Sequence, residues 1–261
     1  MLYVRDIAKL LEEWAPVSVA EHYDNVGVLV GRYDTEVTGV LINLDVTEAV
    51  VEEAISLGVN MIVTHHPIWF GSRKRLNGED YVSRIIMQAI KHDIVLYACH
   101  TNLDNIQTGV NKRICETLAL QNVQFLRPKA REESYGSGMI GELAEGMSKE
   151  AFLAYVKTAF QCGGIRYADA AISEIRRVAV CGGAGSFLTG DAIKAGADAF
   201  VTADITYHKY FDNEDALLLL DIGHYESEQY TSALIYEFLS EKMPNFGIHL
   251  SSIKTNPIKY F

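Results

Sequence analysis

The chain lacks the sequence features that mark secreted, membrane-spanning and zinc-knuckle proteins. Its 261 residues include four cysteines, at positions 99, 115, 162 and 181, and no two of them form a Cys-x-x-Cys pair. Cysteines spaced this widely are expected to be reduced and buried. The first residues show no basic segment followed by a long apolar run, and no apolar stretch is long enough to span a bilayer. We therefore expect a cytoplasmic protein without a membrane partner.

Positive charge is scarce as well. Lys and Arg number 23 against 34 Asp and Glu, which gives a formal net charge of -11. A protein that binds DNA or RNA neutralises phosphates with clustered Lys and Arg, so nucleic acid is not an expected partner. A small anionic substrate would have to be attracted by something other than the protein's own charge, and bound cations could do this.

Apolar, β-rich runs alternate along the chain with segments of helical periodicity, which is the pattern of βαβ units. The runs are almost continuously apolar, as in strands of a sheet that helices cover on both faces. The predicted strands are 39–44, 59–63, 94–99, 176–181, 199–202, 217–220 and 247–251. The predicted helices are 47–57, a segment through 85–90, 109–118, 149–160, one opening near 186, and one through 233–239.

The periodicity is lost between residues 121 and 146, where a charged run at 127–133 precedes glycine-containing turns. Such composition is typical of a crossing between domains. We therefore predict an α/β fold with two α/β domains, each a sheet flanked by helices. The first covers 1–125 and is completed by 226–261, and the second covers 126–225. A metal site is expected in the cleft between them.

Three polar clusters begin where predicted strands end: His65-His66, residues 100–104 and residues 221–228. Open α/β sheets bind ligands beyond the carboxyl ends of their strands, so the three clusters could converge. Imidazoles together with carboxylates suit Zn, Mn, Fe, Co or Ni. For an isolated histidine pair, burial with hydrogen bonds to backbone is the more common alternative.

Individual residues in these clusters have predicted roles. His224 and Glu228 are four positions apart and share a helix face, whereas Glu226 points elsewhere. The alternative for this stretch is an acidic helix start favoured by the helix dipole. Asp104 is a natural metal ligand and His100 an acid–base group or a support for a ligand, although an Asx turn or a helix cap would also explain the cluster.

Two histidines and two carboxylates are sufficient for two divalent metals that share a bridging carboxylate. Two such metals would acidify a shared water into a nucleophile near neutral pH, and their charge would draw an anionic substrate.

Two further features are candidates of second rank. The glycine-rich segment 182–185 is either a tight turn or a nucleotide cradle, and it matches neither the Gly-x-Gly-x-x-Gly nor the P-loop pattern. Asp204 and His208 repeat the spacing of four and could approach the same site.

The motifs together resemble the Nif-three-like proteins, the type 2 homologues of GTP cyclohydrolase I, also called dinuclear metal centre hexameric proteins. The resemblance covers the whole chain and rests on four motifs in the same order, at residues 23–31, 64–70, 100–104 and 223–228. Tyr23 replaces a usual Trp, and Ala203 stands where Gly is frequent.

The resemblance implies a two-domain subunit in a toroidal homohexamer, with paired metals facing the inner cavity. Carried onto matching positions, His65 and His224 would hold one metal, His66 and Asp104 the other, and Glu228 would bridge both. The resemblance does not by itself specify the reaction. Our leading hypothesis is a dinuclear, metal-dependent hydrolase of a nucleotide-like or phosphorylated small molecule, with His100 and Glu228 as its catalytic residues. The alternative is a non-catalytic metal-binding or regulatory assembly protein.

Overall fold

Two β-sheets flanked by helices make up the fold and confirm the predicted α/β class. The structure, a computed structural model, describes residues 1–129 and 132–261. The chain divides into two units: the first combines Met1–Leu103 with Thr231–Asn256, and the second combines Asp104–Tyr230 with Pro257–Phe261. In the described part of the chain, no helix is both long enough and apolar enough to cross a membrane.

In the described part of the chain, seven strands overlap the predicted apolar runs. Another four fall where no strand was predicted. The strands are β1 (Gly27–Val30), β2 (Val40–Asn43), β3 (Met61–Thr64), β4 (Val95–Ala98), β5 (Gln121–Lys129), β6 (Glu132–Met147), β7 (Arg166–Ala168), β8 (Ile175–Val180), β9 (Ala199–Thr202), β10 (Leu218–Asp221) and β11 (Ile248–Leu250). The unpredicted ones are β1, β5, β6 and β7.

The helices likewise match the predicted periodic segments, apart from an additional amino-terminal helix and a short helix at Thr101–Asp104. They are α1 (Val4–Trp14), α2 (Glu48–Leu57), α3 (Tyr81–Lys91), α4 (Thr101–Asp104), α5 (Val110–Thr117), α6 (Lys149–Ala159), α7 (Thr189–Lys194), α8 (His224–Glu228) and α9 (Thr231–Lys242). The ends of α2 show how local sequence sets these bounds. The Thr47 hydroxyl accepts a hydrogen bond from the Val50 amide, and Gly58 ends the helix in a left-handed conformation with φ of 69°.

The sheet of the first unit has the strand order β1-β4-β3-β2-β11, with β1 antiparallel to β4 and the other pairs parallel. All four residues of β2, β3 and β4 are buried, because side chains on both sheet faces are covered. Leu41, Ile62 and Leu96 pack with Val51 of α2 and Ile86 of α3 in one apolar cluster. Burial of each such side chain contributes about 1.5–3 kcal/mol.

The sheet of the second unit has the order β5-β6-β8-β9-β10-β7, in which β8, β9 and β10 are parallel neighbours. Phe200 and Leu219 of this sheet pack with Leu188 and Ala192. The observed division at Leu103 and Asp104 lies earlier than the predicted boundary at 125, because α5 packs on β6 and β8 of the second sheet.

The predicted crossing between domains at 121–146 is instead an antiparallel strand pair, β5 with β6. Its exposed charged residues and glycines conceal the strand pattern. Gly136 is required by close packing, since a Cβ there would lie 2.6 Å from Cγ of Phe125 on the neighbouring strand. Ala130 and Arg131, which belong to the charged run predicted at 127–133, lie outside the described residues.

Candidate metal centre

The carboxyl ends of β2, β3 and β4 lie side by side in the first unit. Asn43 pairs with Thr64 and Thr64 with Ala98, so the three parallel strands end level with one another. The residues that follow them are therefore brought to one edge of the sheet, as expected for a ligand site in an α/β fold. They are Asp45 after β2, His65 and His66 after β3, and His100 after β4.

The two adjacent histidines are oriented by different oxygen atoms. Nδ1 of His65, which is fully buried, lies 2.8 Å from the carbonyl oxygen of Cys99. Nδ1 of His66 lies 2.7 Å from Oδ1 of Asp45, and this hydrogen bond lowers the pKa of Asp45 although burial acts to raise it. Each Nδ1–H donates to oxygen, and the ring is thereby fixed with Nε2 as its ligand atom. Hydrogen bonding of this kind is characteristic of metal-binding histidines.

His100 completes the cluster in the first unit and is held by Asp24. Its Nδ1 lies 2.8 Å from Oδ1 of Asp24, while the amide and hydroxyl of Thr101 donate to Oδ2 of the same carboxylate. Burial alone would raise the pKa of Asp24, but these hydrogen bonds and the charge of His100 lower it to about 2. Asp24 is therefore ionised at neutral pH and fixes the orientation of the His100 ring.

The second unit has a corresponding arrangement beyond its own parallel strands. β8 leads into the glycine turn 182–185, β9 into Asp204, and β10 into α8 with His224 at its start. Asp204 has a left-handed backbone with φ of 52°, a conformation that Asp tolerates better than most residues. Its Oδ2 lies 2.6 Å from Nδ1 of His224.

Two carboxylates enclose the imidazole of His224. Asp204 contacts Nδ1, and Oε2 of Glu228, one helical turn later, lies 3.1 Å from Nε2. Burial acts to lower the pKa of His224, but the hydrogen bonds and charges of Asp204 and Glu228 outweigh it and raise the pKa to about 11. In the metal-free protein the imidazole therefore carries a proton that a metal would replace.

The three acidic side chains of this region differ in their surroundings. One carboxylate oxygen of Asp104 and one of Glu228 lie within 4.8 Å of each other. Burial raises the pKa of the Cys181 thiol, and the charges of Asp104 and Glu228 raise it further. Glu226 is buried like Glu228, and its Oε2 lies against Gly223, whereas Oε2 of Glu228 contacts the His224 ring.

The glycine turn supports α8 directly. The amides of Gly182, Gly183 and Gly185 donate to side-chain oxygens of Asn111, Ser227 and Thr202. Since these amides bind protein oxygens, the turn favours the tight-turn interpretation over a nucleotide cradle. Gly183 has φ of 58°, and a Cβ there would lie 2.5 Å from Oε1 of Glu228, so a side chain at this position would displace the carboxylate.

His208 is placed differently from the other sequence candidates. It is exposed in a short 3₁₀ segment, with its ring 5.3 Å from Tyr207 and 6.5 Å from Phe211. The groups of metal-competent side chains among residues 1–129 and 132–261 do not include it. Asp45, in contrast, was missed, although its position directly after a buried strand is the same signal that identified His65.

Both sets of donors fit a divalent transition metal. In the first unit, one ring nitrogen from each of His65, His66 and His100 lies within 4.8 Å of the other two. In the second unit, His224 and Glu228 offer a nitrogen and a carboxylate oxygen on one helix face. Imidazole and carboxylate together suit Zn, Mn, Fe, Co or Ni, so the donor chemistry agrees with the prediction.

Comparison with known proteins supports the resemblance that the motifs indicated. A family model described as Duf34/NIF3 (NGG1p interacting factor 3) matches residues 2–257. The GTP cyclohydrolase 1 type 2 homolog of Clostridium perfringens is 34% identical over 241 residues, covering 92% of each chain. The protein of the same name from Clostridium acetobutylicum is 31% identical over 266 residues, covering 99% of each chain. A Bacillus cereus protein related to NIF3 has a crystal structure with a TM-score of 0.93 at 27% identity, covering 100% of this chain and 99% of that one.

Proposed function

This chain belongs to the Duf34/NIF3 family, and we propose that it is a metal-dependent hydrolase of a nucleotide-like or phosphorylated small molecule. The metal ligands would be His65, His66, Asp104, His224 and Glu228, for two divalent ions per chain. Each ion would be Zn, Mn, Fe, Co or Ni, the metals that suit a mixed set of imidazole and carboxylate ligands. The names of the clostridial relatives point to nucleotide chemistry.

One observation carries the proposal: each of the three candidate ligand histidines has its Nδ1 bound by an oxygen atom. The oxygen belongs to the backbone of Cys99 for His65, to Asp45 for His66 and to Asp204 for His224. For His66 and His224 the oxygen belongs to a carboxylate, which is the arrangement found behind metal-bound histidines. Oxygen partners of this kind orient the ring and increase its basicity toward a metal.

The protein's own residues supply binding and proton transfer around the metals. When bound, divalent metals supply Lewis-acid activation of water and substrate. His100 is placed to exchange a proton at Nε2, because Asp24 holds its Nδ1. The four cysteines are buried, and burial raises the pKa of the thiols of Cys99, Cys115, Cys162 and Cys181, so none is activated as a nucleophile.

The test compares metal-stripped and reloaded protein against a panel of nucleotides and phosphoesters. We expect about two metals per chain after reloading and hydrolysis that vanishes on chelation and returns with Mn, Co, Zn or Fe. Cys181→Ala serves as a control that should keep its turnover. Full activity in rigorously metal-free protein, or a covalent intermediate trapped on Ser or Cys, would contradict the mechanism.

The alternative function is a non-catalytic metal-binding or regulatory assembly protein. The same experiment separates it from the hydrolase. Stoichiometric metal retention without turnover across the whole panel would favour the alternative.

A further inference from the structure

The second unit contains a pocket whose wall includes a candidate metal ligand. Its volume is about 410 Å³, and its lining includes Asp204 and His224 together with Arg166, Asp221 and Tyr260. This volume lies in the range of small-molecule sites. A ligand in the pocket would therefore lie beside the imidazole of His224.

Arg166 presents a fixed cationic group to this pocket. It begins β7 directly opposite Asp221 of β10, and its Nη2 donates to Oδ2 of that carboxylate. The Asp221 side chain is 4% exposed and also accepts from the amides of Ile205 and Gly223, whereas the Arg166 side chain is 68% exposed. A guanidinium has five N–H donors, so an anchored and exposed Arg166 can still bind a phosphate or carboxylate.

Tyr260 presents an aromatic ring that is held by glycine backbone. A Cβ at Gly163 would collide with the ring, and a Cβ at Gly164 would lie 3.6 Å from its Cε1. A Cβ at Gly223 would lie 3.3 Å from the hydroxyl oxygen. The residue nevertheless remains 49% exposed, and an exposed ring held in this way can stack on a planar ligand.

We propose that this pocket binds the substrate, with Arg166 pairing with its phosphate and Tyr260 stacking on a flat ring. The substrate class is therefore a phosphorylated aromatic heterocycle of mononucleotide size. This inference rests on the proposed function, because it takes the ligand in the pocket to be the molecule that is hydrolysed. Arg166 and Tyr260 are binding residues that determine specificity.

The two contacts can be tested separately with three probes that contain different parts of such a molecule. The probes are guanosine 5′-monophosphate, guanosine and ribose 5-phosphate, titrated calorimetrically into both metal-stripped and manganese-loaded protein. Arg166→Gln should weaken the binding of both phosphate-containing probes about tenfold and leave the affinity for guanosine unchanged. Tyr260→Leu should weaken the binding of both base-containing probes about fivefold or more and leave the affinity for ribose 5-phosphate unchanged.

Matched variants of the same unit control for general effects. Arg127→Gln removes another arginine that lies on a strand and is paired with a carboxylate, in this case the side chain of Asp191. Tyr167→Leu removes a tyrosine of similar exposure, at 48%, from the residue next to Arg166. Neither residue lines the pocket, so both variants should bind all three probes as the unmodified protein does. If Arg166→Gln does not fold, Arg166→Lys keeps the charge, loses the planar fork and should still weaken ribose 5-phosphate.

The possible results separate this inference from the proposed function. Equal binding of guanosine 5′-monophosphate by all variants, or no binding of any probe by the unmodified protein, would overturn the pocket assignment. Hydrolysis that is lost on chelation but is unchanged in the Arg166 and Tyr260 variants would reject the pocket as the substrate site. It would still support the proposed hydrolase activity. The predicted probe pattern in stripped protein, without any hydrolysis on reloading, would support the pocket and reject the hydrolase.

Discussion

Oε2 of Glu228 lies 3.1 Å from Nε2 of His224, one helical turn away, and accepts a hydrogen bond from the protonated imidazole. The carboxylate is 3% exposed, so it would be costly to leave without a positive partner. In metal-free protein the imidazolium of His224 supplies that charge, because its pKa is raised to about 11 by Glu228 and Asp204 against the opposing effect of burial. A divalent metal that displaces this proton would supply the positive partner in its place.

Glu228→Gln should remove much more metal than Glu226→Gln. Glu228 and Glu226 are 3% and 5% exposed and lie on the same short helix, but Oε2 of Glu228 contacts Nε2 of His224, whereas Oε2 of Glu226 lies against Gly223. Metal content per chain after dialysis, measured by plasma mass spectrometry, tests this. Equal stoichiometry in the two variants would show that the wrong carboxylate has been assigned.

Asp45→Asn should weaken metal binding about 10–100-fold while leaving the fold intact, because it removes the carboxylate that orients His66. Competition with a fluorescent chelator would measure the change in affinity. Asp34→Asn, which alters an exposed carboxylate paired with Arg32, is the control and should keep the original affinity. An unchanged affinity in Asp45→Asn would mean that His66 is not a ligand.

His100→Ala should retain metal and slow turnover about 100-fold or more, since a positioned acid–base group contributes that much. His92→Ala, an exposed histidine at the end of α3, is the control for loss of an imidazole. Metal content and turnover are measured on the same samples. Loss of metal in His100→Ala would instead identify His100 as a ligand, since its ring lies among those of His65 and His66.

Asp24→Asn should destabilise the metal-free protein at neutral pH but not in acid. The folded pKa of Asp24 is about 2, below the ordinary 3.8, so its stabilising effect is present above pH 3.8 and is lost as the pH falls toward 2. The difference in unfolding free energy at pH 7 should be on the order of 1–2 kcal/mol. Urea unfolding at several pH values measures it. A difference independent of pH would contradict the assignment.

The protein should form a closed homo-oligomer, most simply the toroidal hexamer that the family resemblance implies. Light scattering at micromolar concentration should give the mass of six chains. A monomer mass would reject the ring.

Among the described residues, the sequence predicted the five strands that are buried throughout, together with β8 and β11, and missed four strands that are partly exposed. Every residue of β2, β3, β4, β9 and β10 is buried, and these strands are apolar except for a polar last residue in all but β4. β5 and β6 carry exposed charged residues and glycines, so their sequences lack the apolar pattern of a strand. They form strands through antiparallel pairing with each other. Propensity alone does not identify such strands, because tertiary pairing decides them.

The candidate ligands were predictable because the polar clusters that contain them begin where apolar strands end, whereas their supporting partners depend on tertiary contacts. Asp24 meets His100 across 76 positions and Asp45 meets His66 across 21, distances at which local spacing carries no information. Asp204 was suggested by its spacing from His208, but the structure pairs it with His224 instead. The spacing rule therefore selected a relevant residue for a reason that the structure does not bear out.

Most of the second unit, Asp104–Tyr230, lies between the two segments of the first unit along the chain, and this has a consequence for synthesis on the ribosome. The first unit needs Thr231–Asn256, which supplies β11 and α9, but these residues are made only after Asp104–Tyr230. At translation rates of roughly 5–20 residues per second, the delay is on the order of ten seconds. Until β11 is made, the edge of β2 that pairs with it in the folded sheet has no strand partner, and an unpaired strand edge can pair with another chain.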